Sequence, residues 1–262
     1  MPARCYSGSS SPSSPLVLVH GGFLGGWIWT DVKARLEVLG HRVVTPTLLG
    51  LGERAAEATP ETDVEMQADD LASTVEAWGE PVALLGHSYA GMVVTALADR
   101  QPELVGRLLL LDAFAPTSGE CLLDLLEPEE AAATRHAIDA NGGFQPPPDP
   151  DRWHIDDAAM RRTLVERLTP QPGRTVTKPI SLDGPFTGRC DYISMTRNQK
   201  QHFRQVAGRL RSDPRWRVHS YDGGHLAMLT TPDQLAETLA TVLGLDRSGQ
   251  LGDDERPTDP GP

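Results

Sequence analysis

The chain has 262 residues, of which 39% are hydrophobic and 23% charged, and its formal net charge is −12 at pH 7. This length and composition predict one sizeable core, and so negative a chain without a basic patch excludes nucleic acid as a partner. The apolar runs are far shorter than the roughly 20 residues that span a bilayer, and residues 1–14 lack the pattern of a secretory signal, so we expect no membrane partner.

Cysteine usage and motif spacing bear on cofactors and on the compartment. Three cysteines stand at positions 5, 121 and 190, and an odd, scattered set favours reduced thiols in a cytoplasmic protein over a disulfide framework. No Cys, His or Glu spacing matches a zinc motif, and segment 20–27 fits neither common nucleotide-binding loop. We therefore expect no metal and no cofactor.

Apolar runs along the chain predict strands that alternate with amphipathic helices. The predicted strands are 16–20, 42–45, 82–85, 107–112, 189–195 and 216–220. The predicted helices are 27–38, 64–78, 89–100, 198–210 and 232–243, the last of them capped by Thr231-Pro232-Asp233. This alternation predicts an α/β fold, with a mostly parallel sheet covered by helices on both faces. Only the stretch from about 116 to 185 breaks it, with helical runs at 122–138 and 156–168.

The first predicted strand runs into His20-Gly21-Gly22-Phe23, which we interpret as an oxyanion loop. When a nucleophile attacks an acyl carbon, negative charge develops on the carbonyl oxygen, and a backbone N–H aimed there stabilises it by roughly 3 kcal/mol. We expect the N–H groups of Gly22 and Tyr89 to have this role. A glycine-rich turn that only ends the strand is the alternative.

The third predicted strand leads into Gly86-His87-Ser88-Tyr89-Ala90-Gly91, which has the pattern of a nucleophile elbow. Such a turn holds its serine at a strained backbone position between strand and helix, and small flanking residues avoid clashes with both. Gly86 and Ala90 supply them here. A serine in an ordinary tight turn is the alternative, but the flanking strand and helix favour the elbow.

The last predicted strand is followed by Asp222-Gly223-Gly224-His225, where a histidine can reach back to the serine. Nucleophile first and histidine last is the chain order of α/β-hydrolases, with the acid between them. We therefore predict His225 as the base. Of the other histidines, we expect His20 and His87 to be structural, whereas the remainder are expected at the surface or in caps: His41, His136, His154, His202 and His219.

These segments together resemble the plant methyl esterase and hydroxynitrile lyase group of α/β-hydrolases, and more closely its bacterial esterase-like relatives. The matching segments are 20–29, 46–54, 86–92, 111–114, 167–172 and 224–228. The resemblance implies an α/β-hydrolase core at 16–115 and 186–245, interrupted by a helical cap insertion at 116–185. We expect disordered tails at 1–15 and 246–262.

The acid is where the sequence departs from this group. Plant members carry their triad aspartate at the position that holds Asn198 here, and a neutral amide cannot stabilise an imidazolium as a carboxylate does. We prefer Asp112, which ends the strand after the elbow helix and so lies beside the nucleophile in a parallel sheet. Asp112 as a mere turn cap is the alternative, while Asp191 lies at the wrong end of its strand and Asp222 is too near His225.

The resemblance implies a serine hydrolase that cleaves an ester or thioester of a small, largely apolar or aromatic acyl substrate through an acyl-enzyme. It leaves open whether this reaction belongs to secondary metabolism. The lyases carry Thr where this chain has Gly21, and Lys where it has Leu226, so hydrolysis is favoured over lyase or proton-transfer chemistry. A non-hydrolytic ligand-binding protein stays open, as does a homodimer. The residues expected to line an apolar substrate pocket are Phe23, Leu24, Trp27, Phe114, Phe144, Trp153 and Met195.

Overall fold

The structure is a computed structural model that describes residues 14–198 and 200–244. Most of the two predicted tails, residues 1–13 and 246–262, lies outside the described residues, and so does Cys5. The other two cysteines, Cys121 and Cys190, are buried free thiols.

The described residues contain one six-stranded sheet and a separate two-stranded one. The strands are β1 (Leu16–Val19), β2 (Val43–Val44), β3 (Val82–His87), β4 (Val105–Leu111), β5 (Phe144–Gln145), β6 (Gln171–Pro172), β7 (Arg189–Met195) and β8 (Trp216–Tyr221). The large sheet has the order β2-β1-β3-β4-β7-β8, and each pairing in it is parallel. Strands β5 and β6 pair antiparallel. The predicted fold class is confirmed.

Helices cover both faces of the large sheet. Those of the described residues are α1 (Thr30–Val38), α2 (Val64–Glu76), α3 (Ala90–Arg100), α4 (Pro128–Ala140), α5 (Ala158–Arg167), α6 (Arg174–Thr177), α7 (Gln201–Arg211), α8 (Ala227–Thr230) and α9 (Pro232–Leu243). Short 3₁₀ helices occupy Gly26–Trp29, Gly52–Glu57, Pro102–Leu104, Leu122–Leu125 and Pro150–Trp153. None of the helices in the described ranges is long and apolar enough to cross a membrane.

Side-chain alternation along the strands divides the core into two layers. Val17 and Leu84 belong to the layer that packs against α2, α3 and α7, whereas Leu18 and Leu85 belong to the layer that packs against α1, α8 and α9. Successive side chains of a strand point to opposite faces, so both faces of the sheet are apolar and both need cover. Because all the strands of the large sheet are parallel, their carboxyl ends, which carry the candidate site, meet at one edge.

Two predicted helices have different bounds in the structure. The expected run 122–138 is broken into Leu122–Leu125 and α4, because Pro128 starts a new helix and holds Glu127 in an extended conformation. The expected run 156–168 begins later, at Ala158, because the carboxylate of Asp157 caps the N–H of Met160 at 2.7 Å.

The segment Thr231-Pro232-Asp233 starts α9 as predicted, but the Thr231 side chain makes no capping hydrogen bond. Thr231 stands at the N-cap position, but its hydroxyl donates to the carbonyl of Ala227 and contacts the hydroxyl of Tyr221 at 2.8 Å instead. Pro232 at the first helical position compensates, since it has no N–H that needs a partner there.

Candidate active site

Ser88 lies in a sharp turn between β3 and α3, with a φ of 53° that few residues other than glycine adopt. The neighbouring chain leaves no room for larger residues on either side. A Cβ on Gly86 would lie 2.8 Å from the carbonyl oxygen of Ala90, and one on Gly91 would lie 2.0 Å from that of Phe114. The turn therefore has the geometry of a nucleophile elbow, and its small residues are a packing requirement.

Asp112 directly follows β4, the neighbour of β3 in the sheet. Its φ of 44° lies in the left-handed region, and its N–H donates to the carbonyl of Ile193 on β7 at 2.8 Å. The residue is 1% exposed, so its carboxylate needs partners inside the protein.

The three predicted triad side chains form one hydrogen-bonded chain. The Oδ2 atom of Asp112 lies 2.7 Å from Nδ1 of His225, and Nε2 of the same ring lies 3.0 Å from Oγ of Ser88. A carboxylate can only accept, so Nδ1 carries the proton and Nε2 is left to accept from the serine hydroxyl. This is the tautomer that a general base at Nε2 needs.

Asn198 completes the surroundings of Asp112. Its Oδ1 accepts from the N–H of Lys200 at 3.1 Å, which fixes the orientation of the amide, and its Nδ2 donates to Oδ2 of Asp112 at 2.5 Å. The backbone N–H of Met195 donates to Oδ1 of Asp112 at 3.3 Å. Since Nδ2 of Asn198 also lies 3.2 Å from Nδ1 of His225, the amide occupies the second position from which an acid could reach the ring.

The loop after β1 lies opposite the elbow. A Cβ built on Gly21 would lie 3.0 Å from Cβ of Ser88, and one on Gly22 would lie 3.5 Å from Cβ of Tyr89. Among the described residues, neither the Gly22 nor the Tyr89 N–H donates to a protein acceptor. Two backbone donors close to the serine are thus available to a bound group.

The histidines that flank this loop and the elbow are buried and bind backbone groups. Nε2 of His20 accepts from the N–H of Leu48 at 3.0 Å, and Nε2 of His87 donates to the carbonyl of His225 at 2.9 Å. Burial lowers the pKa of His20 to about 4 and holds the pKa of His87 well below its usual value. Both rings therefore stay neutral at physiological pH and serve as supports for the loop and for the chain that carries His225.

A cavity of about 130 Å³ opens over Ser88. It is bordered by Ser88, His225, Gly22 and Tyr89, and four of the seven predicted pocket residues line it: Phe23, Leu24, Phe114 and Trp153. The other three do not. Trp27 lies under the guanidinium of Arg167, Phe144 borders a separate surface cavity, and Met195 is buried in the core layer of α1 and α9.

Part of the cavity wall is charged, which the expected apolar pocket did not include. Glu130 of α4 accepts from Nζ of Lys200 at 3.0 Å and from Nη2 of Arg152 at 3.2 Å, and all three residues line the cavity. Burial alone would raise the pKa of Glu130, but the bond from Lys200 and the positive charges around it lower that pKa below its usual value. We refer to Glu130, Arg152 and Lys200 as the charged wall.

His202 also lines the cavity, so its expected surface location is wrong. The residue is 5% exposed and stacks on Phe114 with ring centroids 5.2 Å apart. Burial lowers its pKa to about 4, against a smaller opposing effect from Glu130. His41 is likewise buried, contrary to expectation. In α7 the buried positions 202, 203 and 206 recur at helical spacing, and that pattern could have placed His202 inside.

A second cavity of about 600 Å³ borders His225 as well. Trp153, Asn198 and Leu226 line both spaces, as do two members of the charged wall, Arg152 and Lys200. His225 therefore borders both an inner space beside Ser88 and a wider outer one.

Comparison with known proteins agrees with the fold. Residues 16–238 match the profile of the alpha/beta hydrolase family. A carbendazim hydrolyzing esterase from Nocardioides sp. (strain SG-4G) is 34% identical over 86% of this chain and 98% of its own length. Methylesterase 10 of Arabidopsis thaliana is 26% identical over 86% of this chain and 90% of its own.

Solved structures show the same fold at lower identity. An extracellular alpha/beta-hydrolase from a Paenibacillus species, described as sharing structural and functional homology with tobacco salicylic acid binding protein 2, superposes with a TM-score of 0.75 at 21% identity. That match covers 87% of this chain and 98% of the other. The esterase relatives show that this protein is a carboxylic ester hydrolase. The chain belongs to the alpha/beta hydrolase family.

Proposed function

We propose that this protein is a serine esterase that hydrolyses a small ester or thioester through a covalent acyl-enzyme, with Ser88 as nucleophile, His225 as base and Asp112 as acid. The observation that carries the proposal is the continuous chain of contacts from Asp112 Oδ2 to His225 and on to Ser88 Oγ, at 2.7 and 3.0 Å. Such contacts are the geometric requirement for activating a hydroxyl that is a weak nucleophile on its own.

In the first half-reaction, Oγ of Ser88 attacks the acyl carbon while its proton passes to Nε2 of His225. The positive imidazolium that forms is stabilised by the carboxylate of Asp112, which stays ionised. Collapse of the tetrahedral intermediate expels the alcohol or thiol, which takes the proton from Nε2. In the second half-reaction water gives a proton to Nε2 and attacks the acyl carbon, and the proton returns to Ser88 as the acid leaves.

We assign the oxyanion to the free N–H groups of Gly22 and Tyr89. Both border the cavity next to Ser88, and neither has a protein acceptor among the described residues. A donor that is already in place for the developing charge contributes roughly 10²–10³ in rate, because it needs no reorganisation during the reaction.

We propose that segment 116–185 acts as a cap that determines the substrate. It supplies Trp153, Glu130 and Arg152 to the cavity over Ser88. The inner space of about 130 Å³ is close to the roughly 150 Å³ of a cavity that admits one benzene ring, which supports a small acyl or aromatic group. The similarity to an esterase that hydrolyses carbendazim supports a small-molecule substrate too.

The contacts of Gly21 and Leu226 argue against lyase chemistry. The related lyases carry Thr at the position of Gly21, but a Cβ there would lie 3.0 Å from Nδ1 of His87 and from Cβ of Ser88. Leu226 lines the cavity beside His225 and is 2% exposed. An apolar side chain at this place cannot stabilise a departing anion.

Covalent labelling tests the proposal. A fluorophosphonate should label the protein with one equivalent at Ser88, located by peptide mass spectrometry, and p-nitrophenyl acetate should give a burst of one equivalent before steady turnover. Ser88→Ala should abolish both, whereas the matched control Ser73→Ala, on the exposed side of α2, should keep both. Ester turnover that persists in Ser88→Ala, or a label at another residue, would contradict the proposal.

A further inference from the structure

Gln171 of β6 has an unusual position for a polar side chain. The residue is 1% exposed and borders the cavity over Ser88. Its Oε1 atom lies 2.3 Å from the place that a Cβ on Gly22 would occupy, and the same place is 3.5 Å from Cβ of Tyr89. The amide therefore adjoins both residues to which we assign the oxyanion.

Hydrogen bonding fixes which end of the amide faces the cavity. The hydroxyl of Thr175 donates to the carbonyl of Pro172 at 2.5 Å, so it is left to accept, and it does so from Nε2 of Gln171 at 2.9 Å. Oε1 then points away from Thr175, toward Gly22. Among the described residues no group donates to this oxygen.

The backbone that carries Gln171 is held against the oxyanion loop. The N–H of Thr169 donates to the carbonyl of Phe23 at 3.0 Å, and the hydroxyl of Thr169 accepts from the N–H of Gly52 at 2.9 Å. Strand pairing with β5 holds the other side of the segment. A buried acceptor on so constrained a segment keeps its position when a ligand arrives, which is what a selective contact needs.

We propose that Gln171 determines specificity, by accepting a hydrogen bond from a hydroxyl or N–H group next to the scissile carbonyl on the acyl side of the substrate. The favoured class is esters with a donor at the α-position, such as 2-hydroxyacyl or 2-aminoacyl esters. This inference rests on the proposed function, because it takes the acyl carbon to be held between Ser88, Gly22 and Tyr89. A buried acceptor left without a donor costs free energy, so esters that lack the donor bind less well in the transition state.

Two matched ester pairs test the proposal. Methyl mandelate against methyl phenylacetate varies a hydroxyl, and methyl N-phenylglycinate against methyl 3-phenylpropanoate varies an N–H. For each pair the ratio of kcat/KM is measured in the wild type and in Gln171→Met, so that differences in intrinsic reactivity cancel between the two proteins. We expect Gln171→Met to lower the donor preference about tenfold. A fall for one pair alone identifies hydroxyl or N–H as the group recognised.

Two further variants show whether the effect belongs to the acceptor. Thr175→Val removes the group that orients the amide and should lower the same ratio by a smaller factor. Gln205→Met, at an exposed position of α7, is the matched control and should keep the wild-type ratio. An unchanged ratio in Gln171→Met, or an equal fall in Gln205→Met, overturns the assignment of Gln171.

A binding measurement keeps this inference distinct from the proposed esterase activity. Mandelamide and 2-phenylacetamide differ by the same hydroxyl, and titration calorimetry on Ser88→Ala protein measures their affinities without turnover. We expect mandelamide to bind more tightly, and Gln171→Met in the Ser88→Ala background to remove the difference. Loss of ester turnover with this preference intact would reject only the hydrolytic mechanism, whereas equal binding of the two amides would reject the role of Gln171.

Discussion

Moving the acid is the most direct test of the triad assignment. In Asp112→Asn the ring of His225 no longer has a carboxylate beside Nδ1. The new amide can donate to Nδ1 through its Nδ2 as well as accept from it through its Oδ1, so it no longer holds the proton on Nδ1. The comparable change in a serine protease triad costs about 10⁴ in rate through the wrong tautomer, which corresponds to about 5 kcal/mol of transition-state stabilisation. We expect a fall in kcat of this order here.

Asn198→Ala should cost much less. The amide stabilises Asp112 through one hydrogen bond to Oδ2, while the carboxylate keeps its bonds from His225 and from the N–H of Met195. A hydrogen bond to a charged group contributes about 1.5–3 kcal/mol, and only the part that changes during proton transfer affects the rate. We expect kcat to fall by no more than about tenfold, since that corresponds to about 1.4 kcal/mol.

The double variant Asp112→Asn/Asn198→Asp moves the acid from position 112 to position 198. Nδ2 of Asn198 lies 3.2 Å from Nδ1 of His225, so an aspartate oxygen at that place can accept from the ring as Asp112 does now. We expect the double variant to recover a large part of the activity that Asp112→Asn loses. Asn198→Asp alone places two carboxylates beside one imidazole, where the two negative charges repel each other.

Steady-state kinetics with a p-nitrophenyl ester across pH 5–9 compares the wild type with all four variants, and fluorophosphonate labelling rates give the reactivity of Ser88 independently of deacylation. Thermal unfolding checks that each variant is folded. The reasoning is refuted if Asp112→Asn keeps more than about a tenth of wild-type kcat, which would correspond to less than about 1.4 kcal/mol. It is also refuted if Asn198→Ala is the more damaging single change.

Three further expectations concern stability. Gly91→Ala should unfold at a markedly lower temperature, because its Cβ would lie 2.0 Å from the carbonyl oxygen of Phe114, whereas Gly208→Ala, in open space on α7, should be neutral or slightly stabilising; equal melting temperatures would contradict this. Asp191→Leu leaves the guanidinium of Arg107 buried without the carboxylate that lies 2.7 Å away, and urea unfolding should show a fall of about 3–5 kcal/mol in the free energy of unfolding. A fall below about 1 kcal/mol would show that this ion pair contributes no more than an exposed one. His202 has a pKa lowered to about 4 by burial, so the unfolded chain binds its proton first as pH falls below 6.5, and folding loses stability between 6.5 and 4. Between pH 7.5 and 5, His202→Phe should lose about 2 kcal/mol less than the wild type in urea titrations, and identical losses would show that the ring is not buried neutral.

The meeting of the three proposed triad residues could be predicted because it follows from local sequence pattern and from sheet topology. Ser88 needs only a strand, a sharp turn and small neighbours, all of which are adjacent in the sequence. Asp112 and His225 each follow a strand of the parallel sheet, and such strand ends meet at one edge whatever lies between them in the chain. Local pattern and sheet topology were therefore enough to predict that these side chains would meet.

The cavity wall could not be predicted in the same way. Glu130 and Lys200 are 70 residues apart, and they meet because α4 of segment 116–185 packs over the chain that follows β7. A helix in such a segment has no strand register that fixes its partner, so its charged residues resemble an ordinary solvated face. The prediction that Phe144 and Trp27 line the pocket was wrong for the same reason, since hydrophobicity alone does not say which of two neighbouring spaces a side chain borders.

The proposed catalytic groups and the cavity wall come from different parts of the chain, so the reaction and the range of substrates can change independently. The proposed catalytic groups lie on the sheet edge, where a Cβ on Gly86 or Gly91 already meets backbone atoms closer than van der Waals contact, so substitutions there cost stability as well as rate. Gln171, Glu130 and Arg152 belong to segment 116–185, where Arg152 bonds Glu130, Gln171 bonds Thr175, and all three residues line the cavity. Substitutions in that segment should therefore shift kcat/KM between substrates while the labelling rate of Ser88 stays nearly constant. A cap variant that changed the labelling rate and the substrate ratio by the same factor would show that segment 116–185 also positions the triad.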